Sequence, residues 1–487
     1  MRKNVLRERG GALSRSCEVR VTGMRMWVTR ARDDDSGLEL ALSEVPVDGA
    51  KPLFGAPTIT VRDEARYQTI DGFGASITQA TAYLWSQHLP ENRRAAMLTD
   101  LFDPADGIGL TLLRQPVGPS DHVTRPYSFL RRLPDPRLKS LDFSYEEREI
   151  LPMVTAARDT ALAGGRDLRV IASAWSAPWW MKTNLHTLGV RPWLRVPGHL
   201  RRRAYGPYAE YLACFAETYE RHGVLVFGIT PVNEPDNAQS LWPSMAMKPA
   251  EQAAFIARHL RPALDRHGLG DTWIMCWDHN YSTGRHPQGA FVRELYADRA
   301  ALAACDGSAW HYYGGSARTM SEIHEVWPDK GIWVTEASGG DWGPRNWRGA
   351  LMGMARRTIA MLGNWAQAVL YWNVALDTEG GPDHYYLKNQ RRHSQNRGLV
   401  TVDRGTRNYI TNADYYAIGH VSRFVPPGSV RVGLDLPRLN GLHAVAFVRP
   451  DGRQVLVALN EQPVARRFAL AGHLVELPAS SLSTLVW

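Results

Sequence analysis

Two apolar rhythms divide the chain. Between about residues 63 and 424, short apolar runs alternate with segments whose apolar residues recur every third or fourth position, while both ends follow strict alternation. The run at residues 224–229 is continuously apolar, as in a strand covered on both faces. It leads to a polar tip, Asn233-Glu234, and Pro235, which cannot donate to a ladder, stops it. The run 331–335 repeats the arrangement and ends in Glu336, about three βα units of roughly 30 residues further on. Between such runs lie helical stripes. Tyr208, Tyr211, Leu212, Phe215 and Tyr219 form one, and Phe255, Ile256, Leu260, Ala263 and Leu264 another. Strand ends fall near 74, 114, 173, 234, 277, 311, 336 and 372, and eight alternating units predict an α/β fold, a (β/α)8 TIM barrel over 63–424.

The period-two rhythm covers 26–29, 38–42 and 58–61 before the barrel, and 431–435, 443–448, 454–459, 466–470 and 482–487 after it. These strands predict one β-sandwich built from both termini, residues 24–62 with 425–487. No cluster of exposed aromatics marks it as a binding module, so it is read as scaffolding. Residues 1–23 read as a basic tail.

Composition narrows the class. In 487 residues, 44% are hydrophobic and 22% charged, the balance of a soluble globular protein. The net charge of +8 is partly front-loaded, and the basic residues do not interleave with aromatics on one face, so no nucleic-acid partner is expected. No run reaches the roughly 18 apolar residues of a membrane span, and no integral membrane association is expected. Arg7, Glu8, Arg9 and Arg15 interrupt any apolar export segment, which points to a cytoplasmic location. Cys17, Cys214, Cys276 and Cys305 are widely scattered and are expected to be reduced. The oligomeric state is left open.

Two glutamates at the tips of separate strands suit glycoside hydrolysis with retention, one as nucleophile and the other as acid and then base. That chemistry needs no metal and no cofactor. The other strand tips offer Arg114, Asp121, Trp175, Trp180, Asn233, Trp277, His279, His311, Tyr313, Trp372 and Asn373 as sugar-binding candidates. Indole faces stack on a pyranose, while amides, imidazoles and carboxylates bind hydroxyls. Any single tryptophan could equally be core; several at strand tips together favour a carbohydrate or glycolipid substrate. Competing chemistries lack their residues. Gly72-Phe73-Gly74 carries Ile77 where a dinucleotide loop needs glycine, His324-Glu325 lacks a second histidine, and no P-loop or G-x-S-x-G is present. A catalytically silent carbohydrate-binding protein is the alternative from another class, and the two intact glutamates argue against it.

The same residues resemble glycoside hydrolase family 30, the glucosylceramidase family. The matching segments are 70–76, 174–184, Pro231-Val232-Asn233-Glu234-Pro235, His311-Tyr312-Tyr313, Val334-Thr335-Glu336, 371–376 with 379–382, and the stretch 415–429. The resemblance implies Glu234 as acid/base, Glu336 as nucleophile and Asn233 as partner of the sugar 2-hydroxyl. It implies action on β-glucosides, glucosylceramide-like or β-1,6-linked glucans, with β-xylosidase, β-fucosidase or xylanase activity as the alternative. Ala174, where glucosylceramidases tend to have proline, and the basic loop 383–393 depart from the family and bear on the aglycone. Retention requires carboxyl groups about 5–5.5 Å apart. Donors such as Tyr313 and Arg114 are expected to keep Glu336 ionised. Glu234, near a carboxylate and indoles, is expected to hold its proton longer.

Overall fold

The computed structural model describes residues 23–47, 55–130, 133–191, 195–340, 342–343, 346–383 and 394–487. The basic tail up to residue 22, Cys17 and the basic loop at 384–393 lie outside the described residues.

Three strands open the chain: β1 (Arg25–Ala31), β2 (Leu38–Val45) and β3 (Thr58–Thr69). The barrel follows, with β4 (Gly72–Ala75), β5 (Leu112–Pro116), β6 (Arg169–Ser173), β7 (Leu225–Thr230), β8 (Trp273–Asn280), β9 (Gly307–His311), β10 (Gly331–Glu336) and β11 (Ala368–Tyr371). All eight pair in parallel, and β11 closes the ring by pairing with both β10 and β4. The short, apolar strand runs are explained by this position, because ring helices cover their outer faces and packed side chains fill the inside. Leu112, Ile171, Phe227, Met275, Ala309, Trp333, Ala368 and Leu370 form the interior layer. Gly74 is where β4 and β5 touch most closely: a Cβ there would stand 1.6 Å from the Leu112 carbonyl oxygen. The Gly72-Phe73-Gly74 segment is thus a close-packed barrel strand rather than a phosphate loop.

The stripe Tyr208, Tyr211, Leu212, Phe215 and Tyr219 is buried on the helix Tyr205–Arg221. Tyr208 sends its hydroxyl to the carbonyl of Pro231 at 2.8 Å, fixing this helix to the loop that carries Asn233 and Glu234. Buried tyrosine hydroxyls need such a partner, and here the partner is the site's own backbone.

Beyond the barrel come β12 (Ala375–Asp377), β13 (Val400–Asp403) and β14 (Asn408–Thr411), a small sheet that the apolar pattern did not foresee. Then follow β15 (Val430–Asp435), β16 (Leu442–Val448), β17 (Gln454–Asn460), β18 (Arg466–Leu470), β19 (His473–Leu477) and β20 (Ser481–Val486). Both chain ends share one nine-stranded sheet system in the order β19-β18-β3-β15-β16-β17-β20-β1-β2. Alternation here serves two buried faces. Leu456 and Ala458 of β17 join Val28, Phe468 and Leu485 in the sandwich core. Val455, Val457 and Leu459 join the barrel's core. Strand β19 was not anticipated. Its hairpin with β18 turns on Ala471-Gly472, both at positive φ, and alanine is an unusual occupant of that region.

Candidate active site

Glu234 and Glu336 both line one cavity of about 400 Å³ at the carboxyl end of the barrel. Asp121, Trp175, Asn233, Tyr313 and Trp372 line it with them, as do Leu241, Trp242, Trp342, Ser394, Gln395 and Asn396. Trp175 and Trp372 stack on each other at 4.8 Å between ring centroids. The guanidinium carbon of Arg114 lies 4.7 Å from the Trp175 ring centre.

Beneath the cavity, Arg114 is fully buried and reaches four acceptors, the Ser173 hydroxyl at 3.3 Å among them. It donates to Glu336 at 2.5 Å, to the Asn233 side-chain oxygen at 2.6 Å and to Asp278 at 2.9 Å. Because Arg114 engages the oxygen of Asn233, the amide nitrogen of that side chain is left for a ligand. Tyr313 donates its hydroxyl to the other oxygen of Glu336 at 3.0 Å.

Asp278 was not singled out by sequence reasoning, and it is the hub. Besides Arg114 it accepts from the hydroxyls of Ser173, Thr230 and Thr335, each at 2.6 Å, and faces His311 Nε2 at 3.1 Å. Burial alone would raise its pKa, but Arg114 and then His311 outweigh this and hold it well below the carboxylate range. The signal was an acid heading the polar end, Asp278-His279-Asn280, of a strand that starts apolar.

His311 stands between two carboxylates. Its Nδ1 is 3.2 Å from Glu234 and its Nε2 is 3.1 Å from Asp278. Burial opposes the imidazolium, yet Glu336, Asp278 and Glu234 together push its pKa up to about 9. His279 Nδ1 lies 3.2 Å from the same oxygen of Glu234, off the line of a hydrogen bond. Asn237 donates to the other Glu234 oxygen at 2.6 Å.

This corrects the expected order of the two glutamates. Burial would raise Glu234, but the imidazoles of His279 and His311 outweigh it and hold the carboxyl well below its ordinary value. Glu336 is raised, by burial first and also by the nearby charges of Glu234 and Asp121, against the pull of His311 and Arg114. Sequence reasoning weighed one carboxylate against the other and omitted the two imidazoles that converge on Glu234.

The remaining candidates are placed as follows. Asp121 faces the cavity, its pKa raised by burial, with one oxygen lacking a partner among the described residues. Asn373 is buried and accepts from Thr78 at 3.2 Å. Trp180 is buried and does not line the cavity. Trp277 turns away from the site, packing its ring on Phe291 at 4.4 Å. Trp242 and Trp342, which do reach the cavity, sit on loops where no periodicity marks them. Glu234, Trp277, Asp278 and Asn373 all have positive φ, at 48°, 75°, 63° and 59°. Such strain costs about 1–3 kcal/mol per residue and persists where surrounding contacts over-determine it.

A parallel eight-stranded barrel whose strand tips bring two glutamates into one indole-walled cavity is the build of a glycoside hydrolase. The chain belongs to glycosyl hydrolase family 30: the family's TIM-barrel domain matches residues 70–425 and its beta sandwich domain residues 428–485. It is 30% identical over 443 residues to an endo-1,6-beta-D-glucanase of Neurospora crassa, covering 88% of each chain. It is 26% identical over 427 residues to the lysosomal acid glucosylceramidase of Mus musculus, covering 82% of this chain and 77% of that one. The solved structure of an endo-beta1,6-glucanase superposes with a TM-score of 0.82 at 28% identity, covering 96% of this chain and all of the other, 100%. Among the described residues, no helix is long and apolar enough to cross a membrane.

Proposed function

We propose that this enzyme hydrolyses β-glucosidic bonds by double displacement, with β-1,6-linked glucan as the substrate class. Glu336 attacks the anomeric carbon while Glu234 gives a proton to the leaving oxygen. The glycosyl-enzyme ester is then opened by water that Glu234 deprotonates, and the product keeps the β configuration. The observation that carries this reading is the bracing of the two carboxylates. Arg114 and Tyr313 fix both oxygens of Glu336, and Asn237 and His311 fix both oxygens of Glu234.

In the free enzyme the catalytic proton rests on His311, and Glu234 is its conduit. As the leaving oxygen gains negative charge, the proton passes from Nδ1 across 3.2 Å to Glu234 and on to that oxygen. In the second half the transfer runs backward. Asp278 on the far ring nitrogen stabilises the imidazolium in the free enzyme, before the first half and again after the second.

The leaving-group side supports a sugar aglycone. Past Glu234 the surface opens into a second hollow lined by Asp236, Asn237, His279, Asn280, Thr283, Arg285 and Tyr313. These residues offer hydrogen bonds to the hydroxyls of a sugar. Two measurements test the proposal. Proton NMR of the first-formed product should show the β anomer, and an α anomer overturns the mechanism. Rates on β-1,6-glucan should exceed those on glucosylceramide in detergent micelles; the reverse order makes the aglycone a lipid, and faster cleavage of aryl β-xyloside or β-fucoside displaces the glucosyl assignment.

A further inference from the structure

On the helix Tyr205–Arg221, Glu210, Cys214 and Glu217 follow at i, i+4 and i+7 and so share one stripe. All three are at least partly open to solvent. His267, the residue that ends the helix Arg261–Arg266, projects into that stripe. Its Nε2 is 2.8 Å from Glu210 and its Nδ1 is 3.1 Å from Glu217. The sulfur of Cys214, a carboxylate oxygen of Glu217 and a ring nitrogen of His267 all lie within 4.8 Å of one another. None of these residues lines the catalytic cavity.

We infer that Cys214, Glu217 and His267 form a binding site for a borderline-soft divalent cation of the zinc type. One sulfur, one nitrogen and one oxygen donor are the ligand set such an ion selects, and three protein ligands leave a fourth tetrahedral position for water. Bonds of about 2.0–2.3 Å place tetrahedral ligands about 3.5 Å apart, so donors within 4.8 Å need draw in by about 1 Å, within the rotamer freedom of half-buried side chains. The orientation of His267 fits as well. With Nδ1 on the cation, its Nε2–H points at Glu210, the carboxylate–histidine–metal relation that fixes ring and tautomer. An ion triad of His267 with two glutamates would account for the imidazole but leaves the thiol without a part. Protons balance: the dication enters as the Cys214 thiol proton and the His267 Nδ1 proton leave, while Nε2–H stays on Glu210. The site is independent of the glycosidic reaction.

The test uses the full chain, stripped with a chelator and titrated with cobalt(II), whose thiolate complexes absorb by charge transfer. The expected result is one cobalt bound with a thiolate band that zinc displaces. Cys214→Ser should abolish the band, and His267→Gln should weaken binding by more than the roughly 10–100-fold that loss of an outer partner costs. Glu210→Gln should keep the band and weaken binding by about 10–100-fold. Hydrolysis of an aryl β-glucoside, unchanged in all three, verifies folding. Absence of the band, or its survival in Cys214→Ser or undiminished affinity in His267→Gln, overturns the inference. In the unaltered protein, zinc should also slow alkylation of Cys214 as mapped on its peptide; equal labelling with and without zinc overturns it without recourse to a variant.

Discussion

Arg114 and Asp278, both entirely withdrawn from solvent, meet at 2.9 Å beneath the two glutamates. Neither charge faces substrate at that contact. The pair fixes the level at which the site is built, since Arg114 continues to Glu336 and Asn233 while Asp278 continues to His311. Removing one partner of such a pair strands the other, so Asp278→Asn should cost about 3–5 kcal/mol of stability in denaturant melts. In the fraction that stays folded, the alkaline edge of the pH–rate profile should move to lower pH, because His311 loses a charge that supports its proton. An unchanged edge would show that Asp278 only packs.

The two glutamates should fail in different ways. Glu336→Gln should abolish turnover of every substrate, since no ester can form. Glu234→Gln should slow substrates with poor leaving groups by about 10²–10⁴-fold and spare activated aryl glucosides in the first step. Azide should rescue the second step of Glu234→Gly with a β-glucosyl azide and rescue Glu336→Gly with an α-glucosyl azide. Opposite anomers would reverse the roles.

The pH dependence follows from the imidazole. The Glu234–His311 array carries its working proton below the His311 pKa of about 9 and loses it as pH rises through that value. kcat/KM should therefore fall on the alkaline side near pH 9. On the acid side it should fall as Glu336 takes a proton, at a pH above that group's ordinary value because burial raises its pKa. His311→Gln should move the alkaline edge downward, and an edge that stays in place would remove His311 from the proton path.

A second titration lies away from the site. Glu146 is buried, its pKa pushed up to about 8 by burial against the hydrogen bond from Tyr219. Folded, it stays neutral to about pH 8, whereas in the unfolded chain it ionises above its ordinary value. Stability should therefore fall with rising pH between those values, by about 1.4 kcal/mol per unit. Glu146→Gln should flatten this slope, matching the unaltered protein at pH 4 and exceeding it in melting temperature at pH 8. Parallel curves would place the charge elsewhere.

The barrel was legible because most strands begin as short apolar runs and the longer helices, such as Tyr205–Arg221, carry a buried stripe, so burial wrote itself into the pattern. Glu234, Glu336 and Asn233 were legible because a polar residue just past such a run has nowhere to go but the barrel mouth. Trp277 was misplaced for a definite reason. In β8 the register with β9 shifts between Trp277 and His279, with Trp277 and Asp278 both at positive φ. The place of Trp277 at a strand tip suggested a cavity-facing indole, but this irregularity accompanies a ring that packs on Phe291 instead. Asp278 went unnoticed through the same irregularity. The order of the carboxyl pKa values depends on His279 and His311 from two further strands meeting Glu234, a convergence that no spacing along the chain encodes.

The sheet shared by both termini also sets the order of events at the ribosome. Arg25 pairs with Val486 and Met26 with Leu485, so β1 has only β2 beside it until the last strand has been made. The barrel segments emerge in the meantime, while β1 still presents an open edge and the apolar side chains of Met26 and Val28. Synthesis from the N-terminus thus makes β1, the first strand among the described residues, one of the last to be sealed. A chain released a few residues short of Trp487 would keep Glu234 and Glu336 and leave that edge unclosed.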